Sequence, residues 1–218
     1  MAHRRTAVLI SGRGSNLQAL LAAARAPDYP AEIVLVISNR PDAAGLALAR
    51  EANATATAVD HKAFATRAEF DAELDRALRR HDVELIACAG FMRILTAGFL
   101  NAWAGKIINI HPALLPLYKG LDTHGRALAD GVRVHGCTVH YVVPEIDSGP
   151  IIAQAAVPVL SGDTAETLAA RVLEAEHRLY PLALALVAEG RARLEAGKVV
   201  IDAPTDATAA LYSPKPRL

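Results

Sequence analysis

The sequence predicts one α/β domain, a mostly parallel twisted sheet flanked by helices, with an antiparallel edge hairpin in its C-terminal half. Three observations predict it. Short β-branched runs alternate with longer segments of Ala, Leu, Arg and Glu, the alternation that builds a parallel sheet covered on both faces. The runs ELIACAG (84–90) and KIINI (106–110) are nearly all apolar, as strands buried on both faces are. From residue 134 two strand-like runs, VHGCTVHYVV (134–143) and GPIIAQAAVPV (149–159), follow one another with no long helix between them, which suits antiparallel pairing.

The first strand is TAVLIS (6–11), which runs through a glycine turn into a helix from about Asn16 to Ala24. Residues 33–38 form the second strand, a helix beginning near Asp42 follows, and TATAV (55–59) is a weaker third strand. Residues 66–81 place Phe70, Leu74, Ala77 and Leu78 at helical spacing opposite a charged face. A long amphipathic stretch from 164 to 189 closes the domain, with Asp163 as its N-cap and Pro181 as a kink or break. These elements define a domain over 1–190. The remaining 191–218 form a tail with one strand-like patch, KVVID, and a loose Pro-rich end.

Composition narrows the function. At 218 residues, 52% hydrophobic and 21% charged, the chain can bury a full core without disulfide staples. Lys plus Arg equals Asp plus Glu at 23 each, so no global field draws nucleic acid or a membrane surface, and an anion site has to be local. Cys88 and Cys137 lie in apolar runs at a spacing that fits neither a metal cluster nor a disulfide framework, and read as reduced, buried thiols. Four apolar residues before Ser11 are too few for a signal-peptide core, and no run approaches the ~20 residues of a membrane span, so a cytoplasmic address is expected.

Two sequence features carry chemistry. The first strand leads through Ser11-Gly12-Arg13-Gly14-Ser15-Asn16 into a helix. Free backbone N–H groups and the positive end of the helix dipole meet there, as a phosphate site requires. An ordinary tight turn between strand and helix would use the same glycines, and the pattern is neither GxGxxG nor a P-loop. A mononucleotide-like phosphate fits it better than a dinucleotide.

The second feature joins Asn109-Ile110-His111-Pro112, at the end of a buried strand, to Asp147 in a turn-rich loop between the hairpin strands. Alternation puts Asn109 and His111 on one side of the strand, at the carboxyl end where ligand crevices of open α/β sheets form. Each residue also has a structural reading, His111 as a hydrogen-bonded strand end and Asp147 as turn chemistry. If the loop folds over His111, the carboxylate favours the protonated imidazole and the pair can move a proton. Acyl transfer to an amine needs a stabilised tetrahedral oxyanion and a proton route from amine to leaving nitrogen, which an amide, an imidazole and a carboxylate supply. No GxSxG-type elbow is present, so direct transfer through a tetrahedral intermediate is expected rather than an acyl-enzyme. Eight histidines invite a metal, but HxE and HExxH spacings are absent and none is expected. His140 lines the same cleft or belongs to the core.

SGRGSN, GFMRIL, NIHPALLP, HGCTVHYV and DSGPII occur in this order, and from about Ala7 to Gly190 the chain resembles the phosphoribosylglycinamide formyltransferases of purine biosynthesis. The resemblance implies a Rossmann-like formyltransferase fold, with formyl transfer from 10-formyltetrahydrofolate to the amine of 5-phosphoribosylglycinamide. It gives Asn109, His111 and Asp147 the catalytic roles. Gly14, Ser15, Asn16, Gly90 and Glu176 would bind phosphoribosylglycinamide. Arg67, Met92, Arg93, Ile94, Leu95, Asn109 and Ile146 would bind the folate. The residues themselves allow plain core packing for Met92, Ile94 and Leu95. Arg67 at a helix start opposes the dipole, which an anionic partner would explain. The partners implied are these two small molecules, with a homodimer left open. Bacterial members of the family often carry histidine where this chain has Asp122.

Two relatives with the same core resemble the chain less. Formyltetrahydrofolate hydrolase usually adds an N-terminal regulatory domain, for which Ser11, only five residues after Thr6, is expected to leave no room, and lacks the GSN loop. Methionyl-tRNA formyltransferase adds a basic RNA-binding domain that a neutral chain of this length does not hold. A non-catalytic nucleotide-binding module would need the glycine loop alone.

Overall fold

The computed structural model describes residues 3–203 and residue 213. Nine strands and six α-helices are described: β1 Arg4–Ile10, α1 Ser15–Ala23, β2 Ala31–Ser38, α2 Gly45–Glu51, β3 Thr55–Ala58, α3 Arg67–Arg80, β4 Leu85–Cys88, α4 Ala97–Ala102, β5 Ile107–His111, α5 Thr123–Ala129, β6 Val134–Tyr141, β7 Ile151–Pro158, α6 Ala165–Ala188, β8 Ala192–Glu195 and β9 Lys198–Ile201. Seven strands form one sheet in the order β3-β2-β1-β4-β5-β6-β7. The first five run parallel, whereas β6 pairs antiparallel with β5 and with β7.

The central parallel strands are largely apolar because most of each face meets its own helix layer. Val8, Ile10, Ala87, Ile108 and Ile110 pack with α1 and α6 through Leu17, Leu20, Val172 and Leu184. The alternate residues Ala7, Leu9, Ile86, Cys88 and Ile107 pack with α3 and α4 through Phe70, Leu74, Phe99 and Trp103. Both cysteines are free and buried, and burial pushes each thiol up to about 12. The chain leaves β1 outward to β2 and β3, then returns to β4 on the other side. That reversal opens a crevice at the carboxyl ends of β1 and β4.

The fold departs from the sequence reading at several boundaries. β1 starts at Arg4 because Glu84 takes the Arg4 guanidinium at 2.7 Å and the Arg5 amide at 3.0 Å, which extends the strand through polar residues. Thr164, not Asp163, caps α6 and forms a capping box with Thr167, while Asp163 holds Arg171 through two hydrogen bonds. Pro181 does not break α6: the helix runs unbroken from 165 to 188 and buries residues along both halves, from Leu168 to Val187. That packing outweighs the ~3 kcal/mol an interior proline costs. Beyond residue 190 lies a hairpin of β8 and β9 rather than a single strand patch. The expected loose Pro-rich end falls outside the described residues. Among the described residues no helix is long and apolar enough to cross a membrane.

Tyr180 ties the α6 layer to the sheet. It is fully buried, and its hydroxyl donates to the carbonyls of Cys88 at 2.8 Å and Ile108 at 3.3 Å. Burial holds the phenol well above its usual range, so it stays a donor. Replacing Tyr180 with Phe should cost about 1–3 kcal/mol, because buried acceptors lose their donor. Urea unfolding should show this as a lower midpoint at unchanged slope.

Candidate active site

β5 ends in Asn109 and His111, whose side chains continue the face that α3 and α4 cover elsewhere. Over β5 and β6 that face is covered by two irregular segments, the chain after His111 and the loop after Tyr141. The second segment brings Asp147 back over β5. Its carboxylate lies 3.3 Å from His111 Nδ1 and 3.8 Å from His140 Nε2, and accepts the Gly120 amide at 2.8 Å. Gly149 allows this approach, since a Cβ there would lie 1.7 Å from the Tyr141 carbonyl oxygen. The His111 and Asp147 side chains are 6% and 12% exposed, so the pair is shielded from water without being sealed.

Carbonyl partners fix one ring nitrogen of each imidazole as N–H, because a carbonyl only accepts. His111 Nε2–H donates to the Tyr118 carbonyl at 2.9 Å, which turns Nδ1 toward Asp147. His140 Nδ1–H donates to the Tyr141 carbonyl at 2.8 Å, which leaves Nε2 to accept from the Asn109 amide at 3.3 Å. Burial pushes the His140 imidazole below its ordinary value, against the backbone bond and Asp147, so it stays neutral and keeps that acceptor. Asn109 then holds a second amide hydrogen for a ligand. His140, open at the sequence level between cleft and core, thus belongs to the cleft.

The glycine loop forms the other half of the site. Gly14 takes a left-handed conformation at the N-cap of α1 with no side-chain cap, so the first-turn amides lack an internal acceptor there. Asn16 is buried and donates to Glu176 Oε2 at 2.7 Å, which joins the loop to α6. Gly45, absent from the sequence reading, lies directly under the loop. Its amide donates to the Gly12 carbonyl at 3.0 Å, and a Cβ on Gly14 would come within 2.9 Å of the Gly45 Cα. A lone glycine in a helical segment gave no sequence signal of this contact.

Beside the glycine loop, over the carboxyl ends of β1, β2 and β4, lies an open cleft of about 330 Å³, lined by Ser11, Gly12, Asn39, Arg40, His61, Gly90, Met92 and Arg93 and not by Asn109, His111 or Asp147. Ser11 accepts the Met92 amide at 2.7 Å and donates to buried Asn39 at 2.5 Å, tying the 90–95 segment to the tip of β1. Within that segment Met92 and Ile94 are 64% and 53% exposed, whereas Leu95 is core between α3 and α4. Arg93 Nε is buried with no described partner. Ile146 is exposed on the Asp147 loop, and Arg67 is exposed as the first residue of α3, whose capping box comes from Thr66 and Glu69 instead. Among the described residues no group of three His, Cys, Asp or Glu side chains is placed to hold a metal.

Glu176 carries a cost. Burial pushes its carboxyl above the usual value of 4.5, and the Asn16 bond only partly opposes this. A raised folded-state value favours the folded chain below pH 4.5 and loses that contribution as pH rises. Glu176→Gln should therefore raise the melting temperature at neutral pH, and the gain should vanish below pH 4.5. Thermal unfolding across that range checks the sign.

Comparison with known proteins shows the family. Residues 4–184 match the formyl transferase family. The phosphoribosylglycinamide formyltransferase of Escherichia coli (strain K12) is 42% identical over 195 residues, 89% of this chain and 92% of that protein. The trifunctional purine biosynthetic protein adenosine-3 of Gallus gallus is 54% identical over 196 residues, 89% of this chain but 20% of that protein, so the chain spans about a fifth of such relatives. A crystal structure of glycinamide ribonucleotide transformylase 1 from Symbiobacterium toebii has a TM-score of 0.89 at 48% identity, covering 91% of this chain and 94% of that one. With the match covering every strand from β1 to β7 and every residue of the cleft, the chain belongs to the formyl transferase family.

Proposed function

We propose that this chain is a phosphoribosylglycinamide formyltransferase: it moves the formyl group of 10-formyltetrahydrofolate to the amine of 5-phosphoribosylglycinamide. The observation that carries the reading is the cluster of Asn109, His111, His140 and Asp147 on one sheet face, with the α1 N-terminus, which has no side-chain cap, on the other. The phosphate sits on Gly14, Ser15 and Asn16, with Gly90 and Glu176 toward the rest of that substrate. The folate lies along Met92, Arg93, Ile94 and Ile146, with Leu95 as a buried wall and Arg67 near its acidic tail. Free, reduced Cys88 and Cys137 suit a cytoplasmic enzyme.

The amine nitrogen attacks the formyl carbon, and the carbon–N10 bond breaks as the tetrahedral intermediate collapses. The proton lost by the amine reaches N10 through His111 and Asp147. The free amide hydrogen of Asn109 and a protonated His111 offset the oxyanion charge. No covalent enzyme intermediate is needed.

The direct test mixes protein with 10-formyl-5,8-dideazafolate, with and without phosphoribosylglycinamide, and follows the deformylated product by absorbance. Product only with the acceptor supports the transferase. Release without it makes the chain a deformylase, and no release in either arm removes the catalytic reading. His111→Ala should lower kcat by about 10²–10⁴-fold with the acceptor KM little changed. Gly45→Ala should act oppositely, raising the acceptor KM several-fold at nearly constant kcat, since it displaces the phosphate loop and not the chemistry. Gly98→Ala, where a Cβ meets nothing within 4 Å, is its control.

A further inference from the structure

His111, Thr138 and Gln154 form one row across β5, β6 and β7: His111 is paired with Thr138, and Thr138 with Gln154. Thr138 is fully buried and makes more hydrogen bonds than its place in a strand requires. Its hydroxyl donates to the Ala113 carbonyl at 2.7 Å and accepts from the Leu115 amide at 3.0 Å and from Gln154 Nε2 at 3.0 Å. Gln154 Nε2 also donates to the Leu115 carbonyl at 2.9 Å. These bonds hold residues 113–115, the first turn of the segment that leaves His111 and doubles back over it.

Three residues beyond that turn, the Tyr118 carbonyl accepts the His111 Nε2 proton. Tyr118 holds a left-handed φ of 54°, which a tyrosine adopts only when its surroundings impose it. The polar row is thus connected to the catalytic imidazole twice, once across the strand ladder and once through the returning segment.

We propose that Thr138 and Gln154 are positioning residues for formyl transfer. They pin the 113–115 turn so that the Tyr118 carbonyl holds the His111 Nε2–H and keeps Nδ1 turned toward Asp147. The proposal rests on the reading of His111 as catalytic. Its effect belongs in kcat, because neither residue touches the phosphate loop or the 90–95 segment.

The test uses Thr138→Val, which keeps shape and loses the hydroxyl, Thr138→Ser, which restores it, and Gln154→Leu. Gln154 is exposed, so its variant is the one least able to disturb folding. Thr138→Val should lower kcat by roughly 10- to 100-fold, the scale of a displaced catalytic group, with both KM values within about twofold of wild type. Thr138→Ser should recover most of the loss, and Gln154→Leu should lower kcat several-fold. In a His111→Ala background neither Thr138→Val nor Gln154→Leu should reduce the residual rate further, because a residue acting through His111 has nothing left to position. Unchanged kcat in both single variants overturns the proposal, as does full additivity with His111→Ala. If His111→Ala alone keeps wild-type turnover, the catalytic reading falls first and takes the proposal with it.

Discussion

The site depends on how one face of the sheet is covered. On the α3 and α4 side, helices pack over β1, β2, β4 and the start of β5, but over the end of β5 and over β6 the cover is irregular chain. Irregular chain carries backbone polar groups that no helix or ladder satisfies, and buried groups of that kind must find partners. They find them in the polar side chains of β5 and β6. The Tyr118 carbonyl takes His111, the Gly120 amide takes Asp147, and the Ala113 carbonyl and Leu115 amide take Thr138. The residues proposed to do the chemistry and those that hold the cover in place are one network. This is why a polar row survives in a sheet whose parallel half is apolar on both faces.

The network also keeps its histidines neutral where they act as wedges. His135 is buried between Tyr118 and His124, with ring centroids 5.6 and 5.2 Å away, and neither of its nitrogens has a described partner. Burial first, and then the charge of His124, pushes its imidazole down to about 4. A charged ring in that place would sit unpaired beside His111. Together with Glu176, a buried carboxyl on α6, it is a polar group whose desolvation folding alone does not explain. Such groups are retained where a ligand supplies the missing partner or where they hold one that does.

The sequence showed the parallel strands clearly, because a run buried on both faces has no competing pattern, and it showed the order of motifs at their ends. It also showed that Asn109 and His111 share a side, a consequence of period two alone. It did not show α4 and α5, six and seven residues long, whose Gly98 and Gly125 interrupt any helical pattern. Nor could it separate Leu95 from Met92 and Ile94: all three are apolar beyond one strand end, and only packing between α3 and α4 decides which turns inward. Gly45 and Thr138 gave no signal because their roles lie in contacts 31 and 27 residues away along the chain, with Gly14 and His111. Asp163 and Thr164 are both good caps, and Arg171 decided between them by taking the aspartate.

The two halves of the cleft lie on opposite faces of the sheet. Glu176 reaches the glycine loop from α6, on the face of Val8 and Ile108, while Asn109 and His111 occupy the face of Ile107. A ligand that engages both must cross the carboxyl ends of β1, β4 and β5, where the backbone is open and Gly12 and Gly90 carry no side chain to block it. An acceptor with phosphate at one end and amine at the other has that shape. Under the proposed function the phosphate contacts act as an anchor remote from the chemistry, and their binding energy fixes where the amine lies relative to His111. Because the anchor and the reacting groups lie on opposite faces of the sheet, the rigidity of β1, β4 and β5 sets the accuracy of that placement. Burial of these strands on both faces supplies that rigidity as well as stability.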